Sequence, residues 1–237
     1  MKLEIDLAVV SALCVGSTAD AQGIGVDKVT ARDADGKLII PGSTLKGRLR
    51  WECERVARAL GWAVCHAPRP DTMCPYDLPL QDGRPSFCIV CEIFGASGQR
   101  SPLWFNDAAL QLHEELQSTP LGKSQLASHE RRAFDAQIRP GVSISRRRRA
   151  AFSQRLFFTE TSAPNARFLF RACIEGELPS DQHRALLLAG VRMLSFVGGG
   201  RSRGLGWVRV ATCRIDGHEV AADHWPTLLQ PLQEVGK

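Results

Sequence analysis

The chain has 237 residues, with 30 Lys+Arg against 25 Asp+Glu and a formal net charge of +5. Hydrophobic residues make up 44% and charged residues 23%, an ordinary globular balance that excludes disorder, collagen and a coiled coil as the main architecture. The length suits one large or decorated domain with a real core, and a charge of +5 hints at a polyanionic partner only if the positive residues cluster.

No apolar run approaches the ~18–20 residues of a membrane-spanning helix. The start imitates a signal peptide, with Met1 and Lys2 before an apolar stretch over 7–16. Glu4 and Asp6 cancel the basic start, however, and Val9 and Val10 suit a strand. Residues 2–15 therefore read as a first β-strand. A cytoplasmic location is expected, and the eight cysteines are then thiols or metal ligands rather than disulfides.

Residues 16–35 are rich in Gly and Asp and read as a long polar loop. Pro41-Gly42-Ser43-Thr44 then breaks the chain, and Ser43 or Thr44 is expected to cap a helix over 45–60. Leu45, Leu49, Cys53, Val56 and Leu60 form its apolar stripe, and Lys46, Arg48, Arg50, Arg55 and Arg58 lie off it. Residues 62–95 carry five scattered prolines that forbid long regular elements. A strand is expected over 103–112, and a polar insertion over 114–135. Residues 138–144, 155–161 and 167–174 alternate as strands, and Pro164-Asn165 suggests that the last two form a hairpin. Ser180 is expected to cap a second helix, and a last strand covers 207–215. The order strand, helix, strands, helix, strand is the skeleton of an α+β fold, ferredoxin-like or RNA-recognition-motif-like, with large insertions.

Cys65, Cys74, Cys88 and Cys91 have the pattern C-x8-C-x13-C-x2-C, and His66 adjoins the first. A C-x-x-C pair brings two thiolates to one tetrahedral metal from a single turn, and a metal supplies the folding free energy that this proline-rich segment lacks. A structural zinc follows, with either Cys65 or His66 as the fourth ligand. Cys14, Cys53, Cys173 and Cys213 read instead as core thiols. A redox C-x-x-C has no βαβ context here, and the sequence has no H-E-x-x-H and no deaminase P-C-x-x-C.

Three segments suit an anionic partner. Arg146, Arg147, Arg148 and Arg149 are consecutive and lie, with Arg139 and Arg155, in a stretch over 136–159 that lacks Asp and Glu. With Phe134 and Phe152 beside and within it, such a hairpin can bind phosphates and wedge between bases. The Gly198–Gly206 run carries Arg201 and Arg203; its glycines, Gly199 and Gly200 among them, allow backbone N–H groups to approach phosphate. Gly42, Ser43, Lys46 and Arg50 form a third site at a helix start. Neither glycine-rich segment fits a dinucleotide fingerprint or a Walker A loop.

Four motifs, in order, carry a family resemblance. Ile40-Pro41-Gly42-Ser43-Thr44-Leu45-Lys46-Gly47-Arg48-Leu49-Arg50 resembles the helix-start motif of the RAMP superfamily, the repeat-associated proteins of CRISPR effector complexes. Cys88-Ile89-Val90-Cys91-Glu92-Ile93-Phe94-Gly95 is similar to the zinc-proximal segment of type III backbone subunits. Arg139-Pro140-Gly141-Val142-Ser143-Ile144-Ser145-Arg146 resembles the lead into their thumb hairpin, and Gly198–Gly206 their C-terminal glycine-rich loop. The resemblance implies a single RAMP domain over 1–237, with a zinc-binding insertion over 62–95 and a thumb insertion over 113–160. It implies a CRISPR RNA-binding backbone subunit of a type III-like complex, repeated along the guide beside related subunits. The palm would hold guide phosphates, and the thumb would kink the guide–target duplex. In catalytic members a loop aspartate cuts target RNA with Mg²⁺ or another divalent metal, and Asp27 matches it by position. The resemblance favours His66 as the fourth zinc ligand, with Cys65 as the alternative. The competing expectations are a non-cleaving type IV-like backbone subunit, a guide-processing endoribonuclease of the same superfamily, and a zinc-stabilised interaction module without RNA. No histidine precedes His66, which counts against the endoribonuclease.

Overall fold

The computed structural model describes residues 1–16, 25–67, 69–75, 86–111, 136–163 and 168–233. The middle of the Gly/Asp loop, the polar insertion expected over 114–135 and the Pro164-Asn165 turn lie outside these residues.

Strand β1 (Lys2–Val9) is shorter than the expected span, ending at Val9 rather than residue 15. Its period-two alternation buries Leu3, Ile5, Leu7 and Val9 on one face. They join one core with Leu45 and Leu49 of helix α1 (Gly42–Ala59) and Leu186 and Val191 of helix α3 (Asp181–Met193). Strand β2 (Ile39–Ile40) leads into α1; helix α2 (Ile89–Phe94) follows the cysteine-rich segment.

The expected strand over 103–112 divides into β3 (Leu103–Phe105) and β4 (Ala108–Gln111), which both pair with β7 (Leu169–Gly176). The main sheet has the order β2-β4-β7-β1-β8-β9, where β8 is Val208–Ile215 and β9 is His218–Glu219. Helix α4 (Trp225–Leu229) follows β9, and its Trp225 joins the same core. The other face of β1 carries Asp6, only 3% exposed. It accepts hydrogen bonds from Arg171 (2.8 Å), Thr212 (2.6 Å) and Arg214 (3.0 Å).

Strand β6 (Ala150–Ser162) does not pair with β7, as the hairpin reading had it. It pairs antiparallel with β5 (Ala136–Ser145), forming a separate two-stranded sheet in which Val142 lies opposite Leu156. Backbone pairing between β7 and β1 takes the edge that a β6–β7 hairpin would have needed. The ribbon's turn is Arg146–Arg149, held by Ser145, whose carbonyl accepts the Arg149 N–H at 2.8 Å.

Helix α1 begins three residues earlier than expected, and neither Ser43 nor Thr44 caps it. The Gly42 N–H instead donates to Asp107 Oδ1 at 2.7 Å. Gly42 is also the point where the helix start meets β3: a Cβ there would lie 2.1 Å from the Phe105 carbonyl oxygen. At the far end of the stripe Leu60 is exposed, so Ala57 rather than Leu60 completes the buried face.

Candidate nucleic-acid interface and metal centre

The four cysteines of the proline-rich segment converge. Cys88 flanks the N-terminus of α2, and Cys91 lies within it. The sulfurs of Cys65, Cys74, Cys88 and Cys91 all lie within 4.8 Å of one another, and all four residues are buried. Cys65 Sγ is 3.6 Å from Cys91 Sγ and 3.8 Å from Cys88 Sγ. Metal–sulfur bonds of about 2.3 Å in a tetrahedron require sulfur–sulfur edges of about 3.8 Å. The donor set therefore fits a divalent metal ion. The fourth donor is Cys65, which corrects the expectation of His66: with Cys65 turned into the core, the adjacent His66 is exposed. The thiols compete for protons. Hydrogen bonding from Cys91 holds Cys88 down to about 4, the proton is retained on Cys91, and burial pushes Cys74 up to about 11.

Arg50 is turned toward this cluster and not toward the helix start. It donates Nη2 to Cys91 Sγ at 3.2 Å, Nη1 to the Gly95 carbonyl at 2.8 Å and Nε to Glu54 at 3.1 Å. Its charge faces the sulfur cluster and the α2 C-terminus, where a cation is stabilising. Lys46, Gly42 and Ser43 stay together and line a cleft of about 330 Å³ with Arg100, Ser101, Leu103, Trp104 and Phe105.

A second cleft, of about 380 Å³, brings together segments distant in sequence: Cys14, Gly16, Asp27, Lys28, Val29, Thr159, Gly199, Gly200, Arg203 and Leu205. Asp27 is exposed and tied to the ribbon. Its N–H donates to the Phe158 carbonyl at 2.9 Å, and its Oδ2 accepts the Phe158 N–H at 2.6 Å. The loop continues as a short parallel bridge between Lys28 and Thr159. Buried Glu160 anchors it by accepting from the Thr30 N–H at 3.1 Å and from Arg32 at 2.9 Å.

The opposite wall is the glycine-rich loop. Gly200 and Gly204, with φ of 78° and 77°, flank a single turn of 3₁₀ helix over Arg201–Arg203, a left-handed geometry that glycine adopts without steric cost. The Gly199 N–H donates to the Cys14 carbonyl at 2.8 Å. The Arg203 guanidinium lies 5.2 Å from the Phe157 ring centroid, joining the loop to the ribbon. Lys28 and Arg203 line the cleft beside Asp27. Burial raises the Cys14 thiol's pKa on its wall, and the charges of Lys28, Arg203 and Arg139 act against that rise.

The predicted positive residues thus separate. Asp27, Gly199, Gly200 and Arg203 share one cleft, with Arg139 close enough to act on it. Gly42, Ser43 and Lys46 share the other. Arg146 and Arg147 stand exposed at the ribbon turn. Arg201 belongs to a stack that sequence reading missed. Its guanidinium lies 4.5 Å from Phe196 and 5.5 Å from Trp207, while Arg48 sits 3.4 Å from Phe196 and 4.0 Å from Trp51. Lys28, Thr159, Glu160, Arg100 and Trp104 were also missed. They are ordinary loop and strand residues whose importance comes from partners more than fifty residues away.

Among the described residues, no helix is long and apolar enough to cross a membrane. No curated protein matches the chain. One solved structure that it resembles is a chain in a cryo-EM structure of the Type III-B Cmr-beta complex bound to cognate target RNA. The two share 13% identity and a TM-score of 0.52, over 89% of this chain and 96% of that one. The fold is therefore shared with that chain. The sequence matches the RAMP superfamily over residues 6–209, and with that span, most of its length, the chain belongs to the RAMP superfamily.

Proposed function

We propose that this chain is a CRISPR RNA-binding backbone subunit of a type III-like surveillance complex that cleaves guide-paired target RNA at regular intervals, with Asp27 as the catalytic residue. The observation that carries the reading is the cleft in which Asp27, the glycine-rich loop and the base of the basic ribbon meet. A nucleic-acid backbone following the loop would pass the one carboxylate in that lining. The likeness to a chain from a complex bound to target RNA supports the same reading.

In this reading the main sheet is a ferredoxin-like palm, since β4-β7-β1-β8 are ordered as in that fold, with α1 and α3 as its crossovers. The β5–β6 ribbon is the thumb within an insertion over 113–160, and residues 62–95 form an insertion held by structural zinc on Cys65, Cys74, Cys88 and Cys91. Residues 1–237 form one RAMP domain. The partners are CRISPR RNA, target RNA and further RAMP subunits, in the cytoplasm. The glycine-rich loop and Lys46 hold guide phosphates, and the thumb arginines, Arg146 and Arg147 first, splay the duplex.

Cleavage follows from positioning. A kinked target strand can bring a 2′-OH in line with the adjacent phosphorus and its leaving oxygen. Asp27 is oriented by the Phe158 N–H on Oδ2, and Oδ1 has no partner among the described residues. It would accept the 2′-OH proton or hold a divalent ion. The Asp27 carboxylate would hold such an ion, whose charge would offset that developing on the phosphoryl oxygens. The test is the product pattern of an end-labelled target RNA incubated with the guide-loaded complex in Mg²⁺ or in EDTA. Regularly spaced products that need the metal support the reading. Intact target under both conditions contradicts it and leaves the non-cleaving backbone role.

A further inference from the structure

The cations of α1 are not equivalent. Arg48 and Arg55 lie 2.6 and 2.8 Å from Glu52, and Arg50 and Arg58 lie 3.1 and 3.5 Å from Glu54. Lys46, on the same helix, makes no ion pair among the described residues, and neither does the exposed Arg100. Both line the cleft of about 330 Å³ at the helix start, and that lining contains no Asp or Glu. The exposed Asp107, outside that lining, accepts the Gly42 N–H. Burial and the charge of Arg50 push the Lys46 pKa down, so this ammonium is held where its charge is disfavoured.

Beside the two cations stands Trp104, 73% exposed although its neighbour Leu103 is buried. An exposed indole at the mouth of a cationic cleft offers an aromatic face on which a base can stack. The surrounding walls are fixed. Ser101 Oγ donates to the Ile93 carbonyl at 2.8 Å, and Phe105 stacks on Phe94 with centroids 5.9 Å apart. Lys46 Nζ lies 5.7 Å from the Phe105 centroid.

Two unneutralised cations and a free aromatic face match the two halves of a nucleotide, its phosphate and its base. We infer that this cleft holds one nucleotide of the bound RNA, with the base on the Trp104 indole and the phosphate between Lys46 and Arg100. The inference rests on the RNA-binding reading above and adds to it a base-stacking position outside the Asp27 cleft. Stacking of this kind tolerates any base, as a subunit that must hold every guide requires.

The test uses the full chain with a short single-stranded RNA and, as a backbone-only probe, inorganic polyphosphate. Trp104→Ala is expected to weaken RNA binding about 10-fold and leave polyphosphate binding unchanged. Trp104→Phe is expected to retain most of the RNA affinity and to lose part of the fluorescence quenching that RNA causes. Arg100→Ala is expected to weaken both ligands. An unchanged melting temperature for Trp104→Ala shows that the fold is intact. RNA affinity at the wild-type level in Trp104→Ala overturns the nucleotide site while leaving the RNA-binding reading in place. Failure of the wild-type chain to bind RNA even at low salt overturns both.

Discussion

Gly199 separates a loop built for close backbone approach from an ordinary turn. A Cβ added there would meet only the Cys14 carbonyl oxygen, at 3.7 Å, an ordinary van der Waals distance. Gly199→Ala is therefore expected to leave the melting temperature within about 1 °C and yet to weaken RNA binding several-fold, because the methyl group occupies space a phosphate would need. Equal affinity in a binding titration would show that nothing approaches this loop closely. Asp6 makes a different prediction, about stability. Burial opposes its ionisation, but hydrogen bonds from Arg171, Thr212 and Arg214 outweigh that and hold its carboxyl below the usual carboxylate range. A depressed folded pKa gives stability that is fully present above the unfolded value, about 3.9, and is lost as pH falls through the lower folded value. Asp6→Asn should cost about 2 kcal/mol at neutral pH, roughly 4–8 °C in melting temperature. The gap between variant and wild type should stay constant near neutral pH and narrow as the pH falls below about 4. A gap that does not narrow on acidification would contradict this.

At the scale of elements, the cysteine-rich segment and the basic ribbon depend on different forces. The segment that supplies Cys65, Cys74, Cys88 and Cys91 carries its prolines where a hydrophobic element would be, and its sulfurs converge in the core. Arg50 and Gly95 connect that centre to α1. Cys88→Ser, or removal of bound metal by a strong chelator, is expected to cost at least about 3 kcal/mol, roughly 6–12 °C. A melting curve indifferent to chelation would remove the metal from the account. The β5–β6 ribbon has Ile138, Val142, Ile144, Phe152 and Leu156 exposed and four arginines at its turn. Replacing Arg146 and Arg147 by Ala should reduce the slope of log affinity against log salt by about 1.4, near 0.7 for each single-strand phosphate that is no longer neutralised. An unchanged slope would mean that the turn does not meet RNA.

At the scale of the whole molecule, what was legible in the sequence was whatever local pattern specifies. Both long helices, the alternating strands and three of the four clustered cysteines follow from spacing alone. Pairing partners were not legible. Nothing near residues 150–162 says that β6 takes β5 and leaves β7 to β1, because that choice is made by strands that meet across the fold. The same limit applies at the sites. The helix cap is Asp107, far from the Ser43 and Thr44 that local rules favour. Arg50 is on the predicted helix face but is drawn to a cluster formed by a later segment. The fourth member of the cluster depended on which of two adjacent residues turns inward, and the resemblance favoured the one that is exposed.

The fold brings a loop from the first quarter of the chain, a ribbon from its middle and a glycine-rich turn from its last fifth around one carboxylate. The claim that this convergence is catalytic is tested most directly by Asp27→Ala in the guide-loaded complex, read as cleavage of an end-labelled target RNA in Mg²⁺ with guide and target binding measured in parallel. The account predicts unchanged binding and loss of the regularly spaced products. Spaced products that persist at the wild-type rate, with binding intact, would contradict it.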